Sequence, residues 1–263
     1  MNGNNGTNHL GVNLSFTKFL FVAPVREDDA TVAKLRAAGG MIARGFLNDF
    51  EVDGTRDAGI QDAVQFLSSG CAPGTTGARP RYALQISSKY RPRLQETEAE
   101  LRRRVSDLAE VTSLDGAARV PQYTSAEMYS YAYRNAMARV SGRHQHNVII
   151  IPMRKTEEWW QKSPLERHAY FYPHCDPQTG AQVKGHAQSA EAGISRIFRR
   201  LYYNPDGNSR PDEFDFITYF ECADAHLPLF EEICRRLRDV TLNPEWRFVV
   251  EGPEWRGRRV LRW

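Results

Sequence analysis

The chain has 263 residues, 41% hydrophobic and 25% charged, and its 35 Lys and Arg against 32 Asp and Glu leave a formal net charge of +3. That balance fits a folded protein of one large domain or two small ones and excludes disorder and collagen-like order. The arginines alternate with acidic neighbours rather than forming a stripe, so nucleic acid is not the expected partner; the longest apolar runs, Phe19 to Pro24 and Val148 to Pro152, fall far short of the about 20 residues that cross a bilayer.

Residues 1–15 are polar, without a basic n-region or an apolar h-region before a small-residue cleavage site, and read as the disordered tail of a cytoplasmic protein. Phe16 to Val25 predicts a buried strand, and Asp28 to Ala43, acidic at its start with apolar residues at helical spacing, predicts a helix. The glycine- and proline-rich stretch Ser68 to Arg81, with Cys71 to Arg81 at its centre, breaks the pattern as a loop. Tyr82 to Ser87 is strand-like, and Leu94 to Leu108 carries alternating charges over an apolar stripe, as a helix with one solvated face does. From about Thr112 to His146 the signal is mixed.

The second half is clearer. Asn147 to Met153 (NVIIIPM) predicts a buried strand, and Ser163-Pro164-Leu165-Glu166 forms a capping box with proline at the first helical position. Pro173 to Gly180 interrupts that helix, and a further helical stretch carries His186 and is expected to end near Gly193. Arg196 to Tyr203 and Phe214 to Glu221 flank an Asn-Pro-Asp-Gly turn as a hairpin, Ala225 to Arg238 is an amphipathic helix, and Trp246 to Val250 is expected as the final strand. Strand, helix, strand, strand, helix, strand is the ferredoxin-like order. The first half reads as a degenerate copy, so the expected architecture is α+β: two tandem ferredoxin-like units, residues 16–146 and 147–263, sharing one barrel-like sheet with helices outside. Cys71, Cys175, Cys222 and Cys234 show no metal-ligand spacing and read as free thiols.

Two residues stand out chemically. His186 has small or apolar residues at helical spacing after it (Ala190, Ile194, Ile197), which in isolation usually marks a satisfied core or surface histidine. On the following strand, period-two alternation puts Ile197, Arg199, Leu201 and Tyr203 on one face, where an arginine is costly unless it is paired or serves an anion. The inverted register would leave Arg199 solvated beside Arg196 and Arg200, and parity alone does not choose. A helix break near Gly193 assigns His186 and Arg199 to different layers. A flat ligand between helix and sheet could then have the imidazole on one side and the guanidinium on the other, as haem does.

The blocks IPMRKTEEWW, His186 with Arg199 thirteen residues on, RRLYY, PDEFDFITYFE and LRDVTLNPEW run from about Asn147 to Trp246. Together they resemble the C-terminal domain of the chlorite dismutase family, and the first half resembles the family more loosely. The resemblance implies paired ferredoxin-like units with one haem b in the second, in a homo-oligomer whose length favours a pentamer over a dimer. It implies that His186 is the proximal ligand to the iron, that Glu245 accepts its other ring N–H, and that Lys155 belongs to the same network. Trp159 and Trp160 match paired tryptophans, one of which packs by the haem, and Tyr123 in QYTS matches a tyrosine on a haem propionate. By themselves, Glu245 would be a strand-end surface charge, Lys155 a solvated lysine, and the tryptophans core or subunit contacts.

Arg199 falls where chlorite-converting members hold an arginine over the open iron position, whereas coproheme decarboxylases of the family have glutamine or an apolar residue there and use a reactive tyrosine. Leu201 is counted with the haem contacts, and Thr218 and Phe220 match residues lining the distal chamber. The implied activity converts the small anion chlorite to chloride and dioxygen through an oxo-ferryl haem and a hypochlorite-like fragment held by Arg199. The alternatives are another haem reaction, such as coproheme decarboxylation or peroxide chemistry, and a haem-binding protein without turnover.

Overall fold

The computed structural model describes residues 15–48, 62–69, 80–118, 145–176, 179–207 and 213–263. The first half runs β1 (Ser15–Pro24), α1 (Asp29–Ile42), a two-residue β2 (Leu47–Asn48), β3 (Ala63–Ser68), β4 (Tyr82–Ser88), α2 (Arg91–Val105) and β5 (Ala109–Ala118). The second runs β6 (Asn147–Lys155), α3 (Glu157–Gln161), α4 (Pro164–Ala169), the short pair β7 (His174–Cys175) and β8 (Gln182–Val183), α5 (Gly185–Ala190), β9 (Phe198–Tyr203), β10 (Phe216–Cys222), α6 (Leu227–Arg238), β11 (Val249–Glu251) and β12 (Trp255–Val260). Among the described residues no helix is long and apolar enough to cross a membrane.

The four main strands of each half pair antiparallel in one order, β3-β4-β1-β5 in the first and β9-β10-β6-β12 in the second, which is the ferredoxin-like arrangement twice over. Because β5 also meets β9, and β3 meets β12, the two sheets close into one barrel. Closure leaves none of these strands an open edge. This is the α+β architecture expected from the sequence.

β1, β3, β4 and β6 bury both faces. Inside the barrel lie Phe19, Phe21, Ala83, Val148, Ile150, Phe198, Tyr202, Ile217, Tyr219 and Trp255. Outside it, Leu20, Val22, Val64, Leu84 and Ile86 pack on Leu35 of α1 and on Leu94, Leu101 and Val105 of α2. On the second half, Ile149, Ile151, Met153 and Cys222 pack on Phe230, Ile233 and Leu237 of α6. Burial on two sides is why NVIIIPM reads as an unbroken apolar run rather than an alternating one. Burying each such side chain contributes roughly 1.5–3 kcal/mol.

The caps anticipated from sequence are present. Asp28 accepts the Thr31 N–H at 2.7 Å to start α1, and the Ser163 and Glu166 side chains each accept the other's backbone N–H at the start of α4. Three expectations need correction or addition. Trp246 to Val250 is not a strand: Pro244–Phe248 is a turn of 3-10 helix, with the Trp246 N–H on the Asn243 carbonyl at 3.0 Å, and only Val249–Glu251 is extended. Proline at the first helical position presets that turn. The strand that completes the second half is instead β12, and β3 and β5 are strands where none was predicted. The expected tail, most of the Cys71 to Arg81 loop and Tyr123 lie outside the described residues.

Candidate functional site

α5 is short, and its placement comes from its neighbours. Lys184 and Gly185 donate their N–H groups to the Leu242 carbonyl after α6, and His186 and Ala187 donate theirs to the carbonyls of Tyr170 and Phe171 after α4. Gly185 has φ +66°, and a Cβ there would lie 2.5 Å from the Tyr172 carbonyl oxygen, so only glycine lets the helix enter this close to the chain. The Phe171 ring lies parallel to the His186 imidazole, with centroids 5.9 Å apart and 17° between planes.

Two more elements converge on that imidazole. Glu245, in the 3-10 turn after α6, brings Oε2 to 3.3 Å from His186 Nδ1, and its Oε1 accepts from Lys155 Nζ at 2.5 Å. Lys155 ends β6, and its ammonium also stands 4.0 Å from the centroid of the Trp159 ring. The Lys155 side chain is 6% exposed and that of Glu245 16%. Burial by itself would raise the Glu245 carboxyl, but the Lys155 charge and the His186 hydrogen bond outweigh it and hold the group well below the usual carboxylate range. Burial pulls the Lys155 ammonium below its ordinary value against the attraction of Glu245 and Asp215. The ionised carboxylate thus faces Nδ1 of the imidazole, and Nε2 is the ring nitrogen that Glu245 leaves unengaged.

The described residues hold no group of three or more His, Cys, Asp or Glu side chains able to cage a metal ion. A metal on His186 would take most of its ligands from a group such as a porphyrin, which needs one axial imidazole from the protein. The donor set fits haem: an imidazole with one nitrogen facing a buried carboxylate and the other turned away from it.

The opposing wall is made by β9, β10 and β6. In register, Arg199 stands opposite Phe220, Leu201 opposite Thr218, and Thr218 and Phe220 opposite Ile151 and Ile149. Cross-strand partners share a face, and this face packs with Ala190 of α5, so Arg199 belongs to the side of the sheet that looks toward the layer carrying His186. Arg199, Leu201 and Phe220 are half-buried and Thr218 is buried. Among the described residues Arg199 makes no hydrogen bond or ion pair. Arg200 points to the barrel interior, among Gln65, Gln85, Ser87 and Tyr202. These residues lie on the far side of the sheet from His186, and the two amides bond the Tyr219 and Tyr202 hydroxyls.

Trp159 is 5% exposed and packs on Tyr170 and Phe248 as well as on Lys155, while Trp160 is half-buried with the Arg167 guanidinium 5.5 Å from its ring. One residue of the site had no signal in the sequence. Asp215, just before β10, accepts the Lys155 N–H at 2.5 Å.

No family model matches the sequence. Solved structures do match. Chlorite dismutase from Candidatus Nitrospira defluvii in complex with imidazole is 18% identical, with a TM-score of 0.66 over 94% of this chain and 91% of that one. An arginine-to-alanine mutant of the same protein gives 17% identity and a TM-score of 0.64 over the same shares. A second protein, with a provisional chlorite dismutase designation, is 13% identical, with a TM-score of 0.64 over 95% of this chain and 96% of that one. At these identities the likeness establishes the fold: the chain is built like chlorite dismutase from end to end of its described residues.

Proposed function

We propose that the chain is a haem b enzyme that converts chlorite to chloride and dioxygen, with His186 as the protein's one ligand to the iron. The observation that carries the reading is Arg199, an arginine without a partner among the described residues, on an apolar sheet face that looks toward the layer of a histidine whose Nδ1 faces a buried, ion-paired carboxylate. Likeness to chlorite dismutase structures supports it.

Haem bound here would supply the redox chemistry of the O–Cl bond. The protein's share follows from its side chains. Glu245 holds the imidazole in the tautomer that offers Nε2 and makes it a stronger donor, and Lys155 keeps Glu245 ionised. Arg199, free of internal partners, attracts a small anion and keeps it in place, and a cation among Leu201, Phe220 and Ile151 acts in low dielectric with little competing water. One chlorite yields one chloride and one dioxygen with atoms and charge conserved, so neither an acid–base residue nor an electron donor is required. Thr218 adds one hydroxyl to an otherwise apolar wall.

The test is to load the purified chain with haem, record its spectrum and follow oxygen release on adding chlorite. Oxygen release from the wild type, together with loss of imidazole ligation in His186→Ala, supports the reading. Haem uptake without oxygen release would leave a haem carrier or a related enzyme, and an unchanged spectrum in His186→Ala would remove the ligand assignment.

A further inference from the structure

We infer that Asp215 is a positioning residue that ties the β9–β10 hairpin, which carries Arg199, to Lys155 on the His186 side. The contact stands on geometry alone, and its effect on ligand binding rests on the haem reading above.

Asp215 is 7% exposed and sits at the base of the hairpin, one residue before β10. The β6–β10 pairing runs only as far as Met153 opposite Phe216, so the Lys155 N–H lies past the end of that ladder. Asp215 Oδ2 accepts that N–H at 2.5 Å in place of a strand carbonyl. Lys155 is the last residue of β6, so the end of that strand is fixed to the carboxylate. In the other direction, the Asp215 carbonyl accepts the Asn204 N–H at 2.8 Å across the hairpin, and Asn204 Nδ2 donates to the Phe214 carbonyl at 3.1 Å and to Glu213 Oε2 at 3.2 Å. The side chain of Asp215 thus holds the end of β6 while its own backbone closes the hairpin.

Its charge matters as well as its place. The buried Lys155 ammonium feels Asp215 in addition to Glu245, so the lysine is shared between two carboxylates. Without Asp215 it would be drawn wholly to Glu245, weakening that carboxylate as an acceptor for His186. The Lys155 backbone, which sets where its Nζ lies, would lose its anchor at the same time.

Two sets of measurements test this. In the full chain without haem, labelled with nitrogen-15, Asp215→Asn should move the Lys155 backbone amide proton resonance upfield and speed its exchange with water, while the Trp159 indole resonance stays. An unmoved Lys155 amide resonance overturns the contact. In the haem-loaded protein, Asp215→Asn should shift the ferric/ferrous midpoint to more positive potential and raise the cyanide dissociation rate several-fold. If the Lys155 amide resonance moves while midpoint and cyanide rate stay at wild-type values, Asp215 serves only the fold and the positioning role is wrong. If the wild type takes up no haem, the haem reading fails while the contact is still judged by the amide signal.

Discussion

His186 Nδ1 lies 3.3 Å from Glu245 Oε2, and the two residues come from elements far apart in the chain, one at the start of a six-residue helix and the other in a turn after α6. Neither element is long enough to hold its side chain by its own hydrogen bonds. The contact persists because the Leu242 carbonyl, just ahead of Glu245, accepts the N–H groups of Lys184 and Gly185, just ahead of His186. The backbone thereby sets the distance between imidazole and carboxylate before either side chain is placed.

Glu245→Gln should keep haem bound but raise the reduction potential, because an amide is a weaker acceptor for the Nδ1 proton and leaves the imidazole less electron-rich. It should also destabilise the haem-free chain by roughly 3 kcal/mol near neutral pH, because Lys155 is left buried without its ion-pair partner. The loss should shrink as pH rises, since burial has already lowered the proton affinity of Lys155 and the neutral amine needs no counter-charge. Spectroelectrochemistry and urea denaturation at several pH values check both parts. A potential equal to wild type would take Glu245 out of contact with the ligand imidazole.

The sequence carried the units well where one physical signal dominated. β1 and β6 carry unbroken apolar runs, Phe19 to Pro24 and Val148 to Met153, because both faces are buried there, and Asp28 and Ser163 announce their helices by capping chemistry. β12 was hidden because its inward side is apolar only at Trp255. Gly257 faces inward since a Cβ there would meet the Trp255 ring and the Ser68 carbonyl, and Arg259, 4% exposed, faces inward to reach Glu221. β5 alternates polar residues with small ones, and β3 carries a buried glutamine that bonds Tyr219, so neither shows a hydrophobic period. In the site, the face of Arg199 could be read from alternation up to a choice of register, which the pairing with Phe220 settles. Glu245 was legible only through resemblance, and Asp215 not at all, because a carboxylate that binds a backbone N–H leaves no spacing pattern.

Lys18 offers a test of the first half. It is 3% exposed, between Glu98 Oε2 at 2.7 Å and Asp115 Oδ1 at 2.5 Å. Burial would raise the Glu98 carboxyl, but hydrogen bonds from Lys18, Arg102 and Ser113 carry it below its ordinary value. A carboxylate with a depressed folded pKa stabilises the fold above the unfolded pKa, and that share is lost as pH falls through the folded value. Wild-type stability should therefore decline from about pH 5 toward pH 3, where carboxylates titrate. Lys18→Met should cost about 2 kcal/mol at pH 7, discounted because Glu98 keeps Arg102, and should flatten the decline. An unaltered slope in denaturation midpoints across that range would show that Lys18 does not control Glu98.

The described cysteines should differ sharply in reactivity. Cys175 is exposed, whereas Cys222 and Cys234 are buried, and burial pushes their thiols up to about 11 and about 12. Only the thiolate reacts with iodoacetamide, so at pH 8 the folded chain should be labelled at Cys175 and not at the other two. Peptide mapping before and after unfolding reads this directly. Labelling of Cys234 in the native protein at the rate of Cys175 would mean that α6 opens from the sheet far more readily than its packing implies.

The role of Arg199 makes the sharpest claim. In Arg199→Ala the whole of the Lys155, Glu245 and His186 chain is untouched, so haem affinity and the ferric spectrum should stay close to wild type. What changes is the opposing wall, which loses the guanidinium beside Leu201, Thr218 and Phe220. Cyanide should bind less tightly and leave faster, with a loss of roughly 1–3 kcal/mol, the range for a hydrogen bond to a charged group. Chlorite turnover should fall, and the haem should bleach after fewer turnovers because reactive fragments are no longer held against diffusion. Arg199→Lys keeps the charge but loses the planar fork, so it should recover part of the anion affinity and less of the resistance to bleaching. Stopped-flow cyanide binding and oxygen-electrode traces carried to exhaustion separate these effects. If Arg199→Ala equals wild type in cyanide off-rate, initial oxygen release and total turnovers, the half-buried guanidinium serves no anion and the assignment of Arg199 to the reaction is lost.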